Sequence, residues 1–157
     1  MAYAKQHGFR EKNLKTPQSI KRWAQKKKAC DMVGACALDR WGSLASATST
    51  GGKGFEIPGR VSDSAMPIGN YATAQVAVSA TGIGEEIMAE GVAVKIATRV
   101  EDGLSLKQSF EKTFREFQIR NRKIGAIGLD HKGNWFQKTT TETLLYAMYN
   151  GTRFVLF

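Results

Sequence analysis

The residues able to do chemistry crowd into positions 48–86. The run TSTGG (48–52) places hydroxyls at a strand end and follows them with flexible glycines. The run PGRVSD (58–63) sets Arg60 and Asp63 three residues apart in a loop. The run SATGIGEE (79–86) ends a strand and opens a helix through two glycines. A helix start at Gly82 and Gly84 offers backbone N–H groups to a developing oxyanion. A guanidinium such as Arg60 holds a carboxylate by a two-pronged bond, and a carboxylate such as Asp63 holds an ammonium. An Arg–Asp pair beside an N–H cradle suits an amino-acid zwitterion. The competing reading is a surface Arg60–Asp63 pair and a glycine helix cap. Phosphate binding at the Gly-x-Gly turn is a weaker reading, because no GxGxxG or GKS/GKT run is present.

Apolar periodicity predicts the elements that must position these groups. Residues 33–39 (VGACALD) and 43–50 (SLASATST) read as a β-hairpin of two buried strands around a turn at 40–43. Gly34, Ala35, Ala37, Ala45 and Ala47 are small, so another layer must approach closely. Residues 51–72 read as a long functional loop rich in glycine and proline. A strand is expected at 76–81, a helix from about 84 to 100, and a second helix from about 105 to 120. Ser105 caps the second helix, and Leu106, Phe110, Phe114 and Phe117 form its core stripe. Strands return at 124–130 and from Trp135, and TRFVLF closes the chain. VGACALDRWG (33–42) and IGAIGLDHKG (124–133) echo each other, which predicts two similar hairpins with tight Asp-x-x-Gly turns. Strands, then two helices, then strands indicate an α+β fold with helices layered on sheet.

The 157 residues indicate one domain at most. The net charge is +9, and it is unevenly placed. Residues 1–31 hold nine Lys/Arg and two acids, a net +7, so the rest of the chain is close to neutral. Within this arm, 17–29 reads as a lysine-rich helix started by Thr16-Pro17. A basic arm can neutralise phosphates, but Trp23 is the single aromatic inside the cluster. A solvated charged segment is the preferred reading over nucleic-acid binding. Cys30 and Cys36 make neither a disulfide framework nor a metal site, and His7 and His131 read as surface histidines. No metal and no cofactor is expected. No apolar run reaches the roughly 20 residues that cross a bilayer. The first residues lack the apolar core of a secretory signal. Cytoplasm is the default location.

Taken together, VGACALDRWGSLASATSTGGKGFEIPGRVSDSAMPIGNYAT and VSATGIGEE resemble the start of the β-subunit of plant-type asparaginases and isoaspartyl peptidases. The match spans about residues 31–135 as several motifs in fixed order. It implies the αββα sandwich of the N-terminal-nucleophile hydrolases. It also implies action on L-asparagine and β-aspartyl (isoaspartyl) peptides. In that family a precursor is cut before a threonine, which then attacks through its hydroxyl with its own amine as base. Residues 1–31 would be the charged tail of the α-subunit, and 32–157 the β-subunit-like domain. The resemblance places Thr50 against the nucleophile, with Arg60 and Asp63 on the substrate's α-carboxylate and α-amine. It assigns Thr81 and Gly82 to the oxyanion hole, and Gly84 to the amine.

Two departures shape the expectation. The threonine position is Met32 here. A thioether has no ionisable proton, so it neither attacks an amide nor carries out the N-to-O acyl shift of self-cleavage. Cys30 lies two residues out of register and Cys36 lies inside the strand. Most of the α-subunit half has no counterpart among the 31 residues before Met32. The sandwich is therefore expected to be incomplete as given, as in a truncated frame, a decayed gene product or half of a split protein. An open apolar sheet face would follow. The resulting function is an amidohydrolase-family protein with little or no activity as written. The alternatives are an inactive binder of amino acids or isoaspartyl peptides, and a basic-arm nucleic-acid binder. A missing α-half and a second copy are the expected protein partners.

Overall fold

The computed structural model describes residue 8 and residues 16–24, 32–52 and 59–156. His7, Cys30, most of the basic arm and the expected helix beyond residue 24 lie outside the described residues. Helix α1 (Pro17–Ala24) begins where the Thr16-Pro17 signal places it. The Thr16 carbonyl accepts the Ile20 N–H at 3.0 Å.

Strands β1 (Met32–Leu38) and β2 (Leu44–Thr50) form the first hairpin. They pair antiparallel, from Met32 opposite Thr50 to Leu38 opposite Leu44. At the turn, Asp39 Oδ1 accepts from the N–H groups of Trp41 (2.9 Å) and Ser43 (2.8 Å). Gly42 takes φ 89°, a backbone state that side chains resist. Strands β3 (Asn70–Ala72), β4 (Val76–Gly82), β5 (Ile124–Asp130) and β6 (Trp135–Thr139) form a four-stranded antiparallel sheet in that order. The β5–β6 turn repeats the first one. Asp130 Oδ1 accepts from Lys132 and Asn134 N–H, both at 2.9 Å, and Gly133 takes φ 81°. The sequence echo is one turn chemistry used twice. Strands β7 (Ala147–Tyr149) and β8 (Phe154–Leu156) make a further hairpin. β3 lies inside the segment expected to be loop, because three residues are too few to show a period.

Helices α2 (Gly84–Glu90), α3 (Val92–Glu101) and α4 (Leu106–Ile119) follow β4. The single helix expected over 84–100 is in fact two. Gly91 takes the left-handed conformation (φ 61°, ψ 45°) between them. Its N–H closes α2 onto the carbonyls of Ile87 (3.0 Å) and Met88 (3.3 Å). Ser105 caps α4 through a reciprocal capping box with Gln108.

α3 packs on β3 and β4, and α4 on β5 and β6. The core lies between them. Val78, Ala80, Ile124 and Ala126 from the sheet meet Ile87, Val92, Ile96, Phe110, Phe114 and Phe117. All four residues of the expected α4 stripe are buried. Each such side chain contributes about 1.5–3 kcal/mol on leaving water. Gly128 on β5 has no Cβ because Phe110 occupies that space, with Cε2 only 2.7 Å from where a Cβ would stand.

The opposite face of the sheet carries the β1–β2 hairpin. Alternate residues turn inward, in the order Met32, Gly34, Cys36, Leu38 on β1. Ser46 Oγ donates to the Val78 carbonyl at 2.7 Å, and Thr48 Oγ1 lies 2.8 Å from Ser79 Oγ. The two strands expected to be buried are in fact half-buried: of the five small residues only Gly34 meets the sheet, while Ala35, Ala37, Ala45 and Ala47 turn outward. A Cβ at Gly34 would stand 2.1 Å from Ser79 Oγ. The result is a hairpin, an antiparallel sheet and helices in layers, an α+β arrangement. The outward face of the hairpin (Val33, Ala35, Ala37, Ala45, Ala47) is exposed, with Val33 at 68%. Among the described residues no helix is long and apolar enough to cross a membrane.

Candidate functional site

The site forms where the open end of the first hairpin meets the β4–α2 turn. Met32 and Thr50 face each other across β1 and β2. Met32 is half-buried and packs against the core, and Thr50 Oγ1 accepts the Gly52 N–H at 3.0 Å. Asp63 opens a short 3-10 turn, Asp63–Ala65, and is 2% exposed. Its Oδ1 accepts from Ser62 Oγ at 2.9 Å. Among the described residues, its Oδ2 has no hydrogen-bond partner, and neither does the buried Ser64 Oγ. Buried polar atoms are almost always paired, so unpartnered oxygens on two consecutive residues mark a place for a donor.

Both glycines of the β4–α2 turn are fixed by contact. Gly82 takes φ 134°, and a Cβ there would stand 2.3 Å from the Lys123 carbonyl oxygen. A Cβ on Gly84 would stand 2.4 Å from Ser62 Oγ and 2.5 Å from Asp63 Oδ1. The Asp63 carboxylate thus sits in the space that the missing side chain leaves. The other end of α2 is anchored by Glu90, which is 5% exposed. It accepts from Lys95 (3.1 Å), Arg120 (2.5 Å) and Arg122 (3.0 Å). Burial raises the Glu90 carboxyl, but these hydrogen bonds outweigh it and hold the group below the ordinary carboxylate range.

A small cavity of about 30 Å³ is lined by Met32, Thr50, Arg60, Asp63, Gly82 and Gly84. Six of the seven expected site residues thus share one cavity. Thr81, the seventh, does not line it. Its Cγ2 lies over Gly125 of β5, 3.1 Å from where a Cβ would be. Arg60 and Asp63 are not the simple ion pair of the competing reading. Arg60 Nη2 donates to Glu85 Oε1 at 3.0 Å and to Ser62 Oγ at 3.3 Å. Ser62 therefore links Arg60 to Asp63. Ser62, Ser64 and Glu85 were not singled out from sequence. Their neighbours in SDS and GEE carried the only signal, and serines beside a buried acid are common in turns.

The remaining candidates stand apart. Cys36 lies on the inward face of β1, and burial pushes its thiol up to about 11 against the pull of hydrogen bonds from Ser46 and Ser79. A thiol held neutral is a poor nucleophile. His131 is exposed in the β5–β6 turn. Among the described residues no three His, Cys, Asp or Glu side chains group as metal ligands.

Comparisons with known proteins bear on the same segments. The asparaginase 2 family model (asparaginase) matches residues 2–156. An isoaspartyl peptidase/L-asparaginase of Nostoc sp. is 53% identical over 121 residues, covering 77% of this chain and 38% of that protein. An isoaspartyl peptidase of Escherichia coli is 43% identical over 119 residues, 73% of this chain and 37% of that protein. A plant-type L-asparaginase of Pyrobaculum calidifontis is 40% identical over 110 residues, 67% of this chain and 36% of that protein. The chain thus spans little more than a third of the length of these relatives. Over the segments that build the cavity and its supporting sheet, this chain belongs to the asparaginase 2 family.

Proposed function

We propose that this chain is the β-half of an N-terminal-nucleophile amidohydrolase whose substrate class is L-asparagine and β-aspartyl peptides. With Met32 at the nucleophile position, it binds that class without cleaving it. The observation that carries this reading is the meeting of Met32, Thr50, Arg60, Asp63, Gly82 and Gly84 around one cavity. In this reading Arg60 takes the α-carboxylate by charge-assisted hydrogen bonds. Asp63 Oδ2, lacking a partner among the described residues, takes the α-ammonium, and Gly84 leaves room for that carboxylate. Thr81 and Gly82, at the end of β4, serve the oxyanion, and Thr50 contacts the residue at position 32. A threonine at 32 would supply a hydroxyl for attack and its freed amine as base. The methionine supplies neither.

The αββα sandwich and the division into a 1–31 tail and a 32–157 domain belong to the same reading, and a completing half is its partner. Two features support that half. The outward hairpin face is small, apolar and exposed, as surfaces awaiting a partner are. A cleft of about 570 Å³ also runs between β1 and β7. Consecutive residues of both strands (Cys36, Ala37, Leu38 and Ala147, Met148, Tyr149) line it. Residues of β5 (Ile127, Gly128, Leu129) and β6 (Trp135, Phe136, Gln137) line it as well, so it is a groove among four strands that added chain would fill.

The test is release of ammonia and aspartate from L-asparagine and a β-aspartyl dipeptide, by the native chain and by Met32→Thr. Turnover by Met32→Thr alone is the result expected where the two departures are separable. Turnover by the native chain would overturn the reading of Met32. If both are silent and calorimetry finds no binding of L-aspartate at millimolar levels, the site assignment fails.

A further inference from the structure

We propose that Glu85 is a resident carboxylate on Arg60 that is displaced by the ligand's α-carboxylate. Glu85 thereby favours ligands that bring an ammonium and a carboxylate together. This rests on the zwitterion reading of Arg60 and Asp63 above. Arg60 Nη2 meets Glu85 Oε1 at 3.0 Å. A side-chain carboxylate thus stands on the group that a ligand's carboxylate would seek. The other half of the site is in the opposite state. Asp63 and Ser64 line the same cavity, and Asp63 Oδ2 and Ser64 Oγ have no partner among the described residues.

A ligand carrying only a carboxylate exchanges one Arg60 contact for another and gains little. A ligand that also carries an ammonium satisfies Asp63 Oδ2 and Ser64 Oγ, two buried atoms that are costly to leave unpaired. Displacement is easy, because the side chains of Arg60 and Glu85 are 31% and 56% exposed. Glu85 lies in the first turn of α2, at the surface. Exposed pairs of this kind are weak, and removing the competitor should tighten binding by up to about fivefold.

The experiment is calorimetry on the full chain, comparing native protein with Glu85→Gln and Glu85→Ala. The ligands are L-asparagine and 3-aminopropanamide, which is L-asparagine without its α-carboxylate. Both variants are expected to bind L-asparagine about three- to fivefold more tightly and 3-aminopropanamide as the native chain does. Unchanged or weaker binding of L-asparagine by the variants, with measurable binding by the native chain, overturns the displacement and leaves the site reading standing. Equal tightening toward both ligands also overturns it, since the gain would not involve the α-carboxylate. If no form binds L-asparagine at millimolar levels, the site reading and this inference fall together.

Discussion

Gly84→Ala adds one methyl group at the point where the β4–α2 turn meets Asp63. Gly84 is absent from the positive-φ residues, so its backbone suits alanine, and helix propensity alone favours the change by up to about 1 kcal/mol. Space opposes it. The new Cβ would stand 2.4 Å from Ser62 Oγ and 2.5 Å from Asp63 Oδ1. Ser62 can rotate away, but Asp63 is 2% exposed, and its main chain lies against Gly69, where a Cβ would be 2.2 Å from the Asp63 carbonyl oxygen. Overpacking of this kind costs about 1–3 kcal/mol. Losing the Ser62–Asp63 hydrogen bond to a charged group costs about 1.5–3 kcal/mol. The two overlap, because one movement relieves the clash and breaks the bond. Taking about 3 kcal/mol for both and subtracting the helix gain leaves a net loss of about 2 kcal/mol. At about 3 °C per kcal/mol for a chain of this size, Tm should fall by about 6 °C. Thermal unfolding followed by circular dichroism measures this, and calorimetry should show L-aspartate binding weakened about tenfold as Asp63 moves. A variant as stable as the native chain, or more so, with unchanged affinity would refute the placement of Asp63 against Gly84.

Two further outcomes follow from the titrating groups. Raising the Cys36 thiol from 9.0 to about 11 cuts its thiolate fraction near pH 8 about 100-fold. Iodoacetamide should therefore label Cys36 far more slowly in the folded chain than in urea, and equal rates would contradict its burial. Glu90 has a folded pKa below its ordinary value of 4.5. Its stabilisation is therefore complete above that value and lost as pH falls through the folded pKa. Glu90→Gln should lower stability by about 2 kcal/mol at pH 7 and flatten the loss below pH 4.5. Parallel acid-unfolding curves for native and variant would argue against the Glu90 network.

The hairpins were legible because alternation and an Asp-x-x-Gly turn are local signals, and the α4 stripe because its phenylalanines keep helical spacing. Gly91 had the signal of a helix stop, but the apolar run through Val92, Val94 and Ile96 masked it. Arg60, Asp63 and the two glycines were legible as residue types, and their convergence was legible through family resemblance. What no local pattern carries is who pairs with whom across the fold. Arg60 meets Glu85, 25 residues on. Glu90 gathers Arg120 and Arg122 from beyond α4. Glu90 is the last residue of α2, placed where Gly91 ends the helix.

The twin Asp-x-x-Gly turns also bear on the order in which the chain assembles. β1–β2 and β5–β6 each close around a few residues, and hairpins form in roughly 1–10 μs. β4 and β5 are neighbours in the sheet, yet α2, α3 and α4 lie between them in sequence. Their pairing must close a long loop first, an entropic cost that slows folding. The central seam of the sheet is thus expected to be the last to zip. The cavity, which needs both the first hairpin and the end of β4, would then be among the last features to mature.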